Sequence, residues 1–471
     1  MNALRAGNQG RNMDRRTFLA AGAAAGAGLM WTPIVGGQDE RKADALNVGL
    51  IGLGEQCGRL VLDAILSAEL DKAENIRFKA ICDIWPYKLR LYTGRLRAMK
   101  HDVTAYEDYE EMLDKEKGLD AVIIATPDWM HAPMTIAALK AGVHVYCEKE
   151  MSNSLDEAKK MVQAAKSTGK LLQIGHQRRS NPRYIIAEEI VRKHRLAGKI
   201  KNANAQWNRP VSGHKVPVPA NEKIWIEESK LRKYGYGSMN ELINWRWFEK
   251  YGGGPLGDLG SHQIDIFSWF FGNVNPSSVI AAGGSDYYRY QHNEDVMAVY
   301  EYKGNAGTVR AFYQVLNTCG YGTYGGYYET FMGDAATLLI SEFGGDWNNG
   351  WLFRENYDWA DKEDLLKRWD KCTELGYVGK RSEDAEKIQQ EDALLKIGSS
   401  IAVPHFFPLL KQLSLPVHTP HLKNFFDAIR GKAKLTCPAE VAYETAVAVL
   451  RANDAIKTGN KVVFRPEDFK V

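Results

Sequence analysis

Three side chains in this 471-residue chain are of types that can move a proton beside a charged oxygen: Lys149, Asp258 and His262. Asp258 and His262 stand four apart in Gly252-Gly253-Gly254-Pro255-Leu256-Gly257-Asp258-Leu259-Gly260-Ser261-His262. That stretch has helical character, so both side chains can share one face. A histidine with its ordinary pKa of about 6.5 can take the proton of a hydroxyl as hydride leaves the same carbon. Lys149 follows the apolar run Val143–Cys147, where its ammonium can polarise an alkoxide or ketone oxygen.

Hydride needs an acceptor, and the chain has a place for one. The apolar run Leu46–Ile51 leads into Gly52-Leu53-Gly54-Glu55-Gln56-Cys57-Gly58. Gly52 and Gly54 let the backbone turn sharply and approach a pyrophosphate, whose charge is favoured by the N–H groups opening the next helix. Cys57 stands where the third glycine of G-x-G-x-x-G is usual, with Gly58 one step later, and it is small enough for close helix–strand packing. Asp83 ends the following apolar run, where a carboxylate can accept from both ribose hydroxyls and repels a 2′-phosphate. NAD is expected over NADP.

The elements that must position these residues alternate. Strands are expected at 46–51, 77–82, 120–125, 143–147 and 171–174, with helices at 57–70, 86–99, 131–141 and 154–168 between them. This spacing predicts an α/β fold, an N-terminal Rossmann domain with a doubly wound parallel sheet. After about Ser180 the pattern changes. A helix at 183–194 leads into longer strands at 200–207, 277–282, 295–302, 307–316, 327–332 and 336–341, separated by Gly, Asn and Pro. Such a run predicts a C-terminal α+β domain with a large, mostly antiparallel sheet. The expected boundaries are 1–43 for a signal segment, 44–180 for the nucleotide domain and 181–471 for the second. A charged helical insertion is expected near 357–400, with closing helices at 421–430 and 439–457.

Three motifs occur in order: Ala125-Thr126-Pro127-Asp128-Trp129-Met130-His131, Cys147-Glu148-Lys149, and the glycine run through Asp258 to His262. Together they resemble the Gfo/Idh/MocA family, the glucose–fructose oxidoreductase and inositol dehydrogenase group, over essentially all of residues 46–471. The resemblance implies a Rossmann domain followed by a sheet domain that covers the nicotinamide. It gives Lys149 the role of the lysine touching substrate and cofactor, and Asp258 and His262 places in the catalytic set. Thr126, Pro127, His131, Glu148 and Gln177 become cofactor contacts beside the glycines and Asp83. Arg178 becomes a substrate candidate, as do Trp245, Arg246 and Trp247, whose aromatic faces can stack on a sugar ring. Members usually carry proline after this lysine, often with a cis bond. Glu150 stands there instead, and a non-proline cis peptide costs about 3 kcal/mol. The expectation is therefore a trans bond and a differently aimed Lys149.

The first residues add a constraint on location. Asp14-Arg15-Arg16-Thr17-Phe18-Leu19, the mild apolar stretch to Val35 and the polar run after Gln38 have the order of a twin-arginine export signal. Its alanines and glycines make a poor membrane span. A net charge of +3 provides no basic field for nucleic acid. Six cysteines without a C-x-x-C pair argue against a zinc site or a disulfide framework, and His418 with His421 suits a helix entrance better than a metal. The expected protein is a periplasmic, twin-arginine-exported oxidoreductase acting on a sugar or glycoside hydroxyl with tightly bound NAD. The alternative is an NAD-dependent glycoside hydrolase that oxidises, eliminates and re-reduces. The resemblance implies a dimer or tetramer.

Overall fold

A computed structural model describes residues 44–210, 216–304, 307–319, 326–342, 350–354, 362–379, 405–410 and 413–471. The signal segment and most of the expected insertion lie outside the described residues. Within the insertion, Lys362–Glu374 is helical.

Six short strands form a wholly parallel sheet: β1 (Leu46–Ile51), β2 (Ile76–Cys82), β3 (Thr104–Tyr106), β4 (Ala121–Ile124), β5 (His144–Cys147) and β6 (Leu172–Ile174). Their order is β3-β2-β1-β4-β5-β6. Helices cover both faces, which is why β4 is apolar and buried at every residue rather than alternating. The order reverses between β1 and β4, and in such sheets the crevice beyond the strand ends at that point receives the ligand. The short β3 escapes the sequence pattern because only one of its three residues is buried.

The second sheet has nine strands in the order β14-β13-β12-β11-β7-β10-β9-β8-β15. They are β7 (Ile200–Trp207), β8 (Ser278–Gly284), β9 (Asp295–Gly304), β10 (Gly307–Leu316), β11 (Tyr327–Gly333), β12 (Ala336–Ile340), β13 (Trp351–Arg354), β14 (His405–Pro408) and β15 (Val462–Val463). β7 pairs parallel with β10, and the other described pairings are antiparallel. Tyr300, Tyr302, Tyr313 and Val315 are buried on one face, in the same core as Phe267 and Val449 of the helices Ser261–Phe270 and Ala439–Thr458. The alternate residues Ile280, Met297 and Val299 stay exposed on the other face.

Both sheets share that core, because the helix Ala439–Thr458 also packs against the helix Leu155–Thr168 and β6. The backbone joins them too: Ile174 N donates to Cys437 O at 3.1 Å. Through this join the end of the parallel sheet meets the residues that precede and open Ser261–Phe270.

Candidate active site

The first βα turn is shaped as a phosphate cradle. Gly52 has φ +86°, and a Cβ there would lie 2.6 Å from the carbonyl oxygen of Ala125 at the end of β4. Only glycine fits. A Cβ on Gly54 would meet nothing within 4 Å, so the loop borders open space there. The next helix opens with Glu55–Cys57 and continues as a wider-wound stretch, Gly58–Ser67. Gly58 packs against Tyr92, whose hydroxyl donates to Gly54 O at 3.1 Å. Asp83 accepts from Leu53 N (2.6 Å) and Trp85 N (2.7 Å), which ties the carboxylate to the glycine loop. Burial raises its pKa, against those two N–H groups and Lys88.

Lys149, Asp258 and His262 meet where the two sheets join. Lys149 Nζ donates to Asp258 Oδ1 at 3.1 Å and also to the Asp258 carbonyl. Arg246 Nε lies 3.0 Å from Oδ1 and Arg209 Nη1 3.7 Å from Oδ2, so three cations converge on one carboxylate. Burial works against the Asp258 charge, yet Arg246, Lys149 and Arg209 hold it well below the usual carboxylate range. His262 is driven well below the usual imidazole range by burial, aided by the charges of Lys149 and Arg178 and by His176. Its Nδ1 is buried and unpartnered among the described residues. Its ring lies 5.6 Å from that of Trp207 and 6.1 Å from that of His176.

The peptide bond between Lys149 and Glu150 is cis, which corrects the expectation of a trans bond. The surroundings hold Glu150 on both sides: its carbonyl pairs with His131 Nδ1 at 2.7 Å, and its Oε1 accepts from Met151 N at 2.8 Å. The bond thus has the geometry expected of the proline-containing motif, and Lys149 reaches Asp258.

Other expected site residues have different surroundings. His131 spans the carbonyls of Glu150 and Thr126 (2.9 Å), so its ring supports the loops of the site from behind. Pro127 precedes the helix Asp128–Lys140, and the buried Thr126 Oγ1 has no partner among the described residues. Glu148 is pushed up to about 7 by burial, against Lys149 and Gln56. Gln177 donates to Glu342 at 2.9 Å and leaves Oε1 buried and unpartnered among the described residues. Arg178 is fully buried, paired with Glu329 and the Tyr327 hydroxyl, with Glu342 at 3.6 Å. As a substrate contact it is corrected to an ion-paired strut between the sheets, because these partners enclose it. Trp247 stacks on Tyr290 at 4.4 Å and is buried, so it too packs rather than faces the cleft. Trp245 carries the Arg246 guanidinium on its ring at 4.2 Å and is only half-buried. His421 bonds Ser180 Oγ (2.7 Å) and Ile174 O (2.9 Å), a structural role.

Three residues of the site were not singled out from the sequence. Asp128, inside the A-T-P motif, accepts from Gly253 N at 3.1 Å and is pushed up to about 7 by burial. His176, just past β6, is buried with both ring nitrogens unpartnered among the described residues. Arg209 follows β7, and nothing in its local sequence marks it.

This geometry is accompanied by matches to known proteins. Residues 46–176 match the family described as "Oxidoreductase family, NAD-binding Rossmann fold", and residues 230–324 match the "GFO/IDH/MocA C-terminal domain". Both matches are to domains of the Gfo/Idh/MocA family. It is 26% identical over 237 residues to the scyllo-inositol 2-dehydrogenase (NADP(+)) of Bacillus subtilis, covering 49% of this chain and 53% of that relative. A glycosyl hydrolase family 109 protein of Stenotrophomonas maltophilia is 34% identical over 167 residues, 33% of this chain and 34% of that one. The chain thus spans about half or less of the length of these relatives. A levoglucosan dehydrogenase solved in complex with NADH and L-sorbose shares the fold, with a TM-score of 0.63 and 15% identity over 90% of this chain and all (100%) of that one.

A nicotinamide dinucleotide fits the residues present. The cradle at Gly52, the open space at Gly54 and the unpartnered Thr126 Oγ1 and Gln177 Oε1 lie at the ends of parallel-sheet strands.

Proposed function

We propose that the protein is an exported oxidoreductase that removes hydride from a sugar or glycoside hydroxyl carbon, using NAD held as a prosthetic group. The observation that carries this reading is a buried His262, its Nδ1 unpartnered among the described residues, beside a lysine clamped by Asp258. A bound nicotinamide would supply the hydride acceptor. His262 takes the hydroxyl proton, and the Lys149 ammonium offsets charge developing on that oxygen. Asp258 holds Lys149 in place, and Trp245 with Arg246 borders the substrate side. Asp83 supports NAD over NADP, since its carboxylate would face a 2′-phosphate. The twin-arginine pattern at Arg15 and Arg16 supports export to the periplasm. The exposed Ile280, Met297 and Val299 support pairing of the second sheet with another copy.

The similarity to a glycosyl hydrolase family 109 protein favours one second reading, a redox-neutral glycosidase using the same residues. One assay tests both. Purified protein without added nicotinamide is incubated with free sugars or aryl glycosides while 340 nm absorbance and aglycone release are followed. A lasting rise with an intact sugar is expected. Aglycone release with no lasting rise would replace the first reading by the second. Loss of either activity in His262→Ala is expected, and full activity in that variant would overturn the site.

A further inference from the structure

Residues 221–251 belong to neither sheet, and they build a small core of their own: Ile226, Leu231, Tyr236, Met239 and Tyr251 close around Trp85. This stretch is fastened to the C-terminal edge of the parallel sheet at three places. Beyond β3, Glu107 takes the ammonium of Lys230 and, at 2.9 Å, the hydroxyl of Tyr234. Beyond β2, Trp85 Nε1 donates to the carbonyl of Ile224 at 2.5 Å. Beyond β4, Trp129 Nε1 donates to the Tyr236 hydroxyl at 3.1 Å, and its ring sits edge-on against Tyr236 and Tyr251. The last anchor needs Gly235, with φ +84°, because a Cβ there would come within 2.7 Å of the Trp129 ring.

The strand order β3-β2-β1-β4 places β1 and its glycine loop between the second and third anchors. The stretch is thus pinned on both sides of that loop. Near its end the same stretch brings Arg246 to Asp258, 3.0 Å away. We propose that residues 221–251 form the outer wall of the dinucleotide site. They strap the cofactor in, so that it does not exchange with solution, and they finish against the carboxylate that positions Lys149. This rests on the nicotinamide reading above and gives it a physical basis for retention. A dinucleotide leaves only when the three anchors release, so its departure is coupled to breaking contacts that touch no substrate.

The test measures release rather than turnover. Wild type, Glu107→Lys and Trp129→Ala are loaded with NADH and chased with excess NAD while bound NADH fluorescence is followed. Glu107→Lys sets two cations against each other and removes the acceptor of Tyr234, and Trp129→Ala empties the third anchor. Release at least about tenfold faster than wild type is expected in each, equivalent to about 1.4 kcal/mol. A second measurement needs no variant: amide exchange of residues 224–243 in the wild type is expected to slow when NADH is bound. Release rates within twofold of wild type, or exchange unchanged by NADH, would overturn the strap. If wild type binds no NADH, the nicotinamide reading itself falls. If it binds NADH but releases it as fast as the variants, the strap alone falls.

Discussion

Asp258→Asn is the substitution whose consequence the structure sets most sharply. The variant keeps the shape and removes the single negative charge on which Lys149, Arg246 and Arg209 converge. Breaking a buried ion pair by deleting one partner costs about 3–5 kcal/mol, because the other charge stays buried and uncompensated. Here the lower end applies. The Arg246 and Arg209 side chains are 41% and 32% exposed and can turn toward water, whereas Lys149 is 11% exposed and cannot. About 3 kcal/mol, set against an unfolding entropy of about 2.1 cal/mol/K per residue over about 430 residues, lowers Tm by roughly 3 °C. Freed from its anchor, Lys149 is misplaced at the reacting oxygen, and a displacement of about 1 Å can cost about 10²-fold in kcat. The pH dependence has a definite sign. The folded pKa of Asp258 lies well below its unfolded value of about 3.9, so its contribution is fully present above that value and lost as pH falls through the folded pKa. The Tm gap between wild type and variant is therefore constant from pH 8 to about 5 and narrows below about 4. Calorimetry across that range with kcat at pH 7 is the assay. A variant melting within 1 °C of wild type at pH 7, with kcat unchanged, would refute the clamp.

Glu150 should act in the opposite sense: burial pushes its pKa up to about 8, above an unfolded value of about 4.3. The native state then holds a proton that the unfolded chain has lost, so stability falls as pH rises between those values. Glu150→Gln should remove this slope and be more stable than wild type at pH 8, with the gain gone by pH 4; equal denaturation midpoints at both pH values would contradict it. Gly52→Ala, forced to φ +86° with its Cβ 2.6 Å from a carbonyl oxygen, should abolish nicotinamide binding measured by mass spectrometry of the purified protein, and co-purification at wild-type level would show that the cradle lies elsewhere. Replacing Arg15 and Arg16 by lysine should leave the protein in the cytoplasmic fraction, and undiminished periplasmic activity would remove the twin-arginine assignment.

Much of the fold was legible because local pattern and tertiary role agree. β4 is apolar at every position because both of its faces are covered, and β7 and β10 alternate because only one face is. The longer strands of the second sheet were recognised to within about two residues. Short strands such as β13 and β15 were not, since two to four residues carry too little periodicity. The helix opening at Asp128 was expected three residues later, because Pro127 ends the extended chain in a way that hydrophobic spacing does not report.

By itself the sequence pointed to a nucleotide-binding turn after β1 and to Lys149, Asp258 and His262 as candidates for the proposed hydride chemistry. Glycine in a turn and side chains of titratable type are properties of type and spacing, and they are read without knowledge of neighbours. Tertiary structure alone decided which way those groups act. Burial lowers the His262 pKa, and cations from three separate segments keep Asp258 charged. Enclosure by Glu329, Glu342 and Tyr327 turns Arg178 from a ligand contact into a strut. The strap at 221–251 was invisible for the same reason. Its fastenings join residues more than a hundred positions apart, and electrostatics and packing depend on distance in space, which spacing along the chain does not encode.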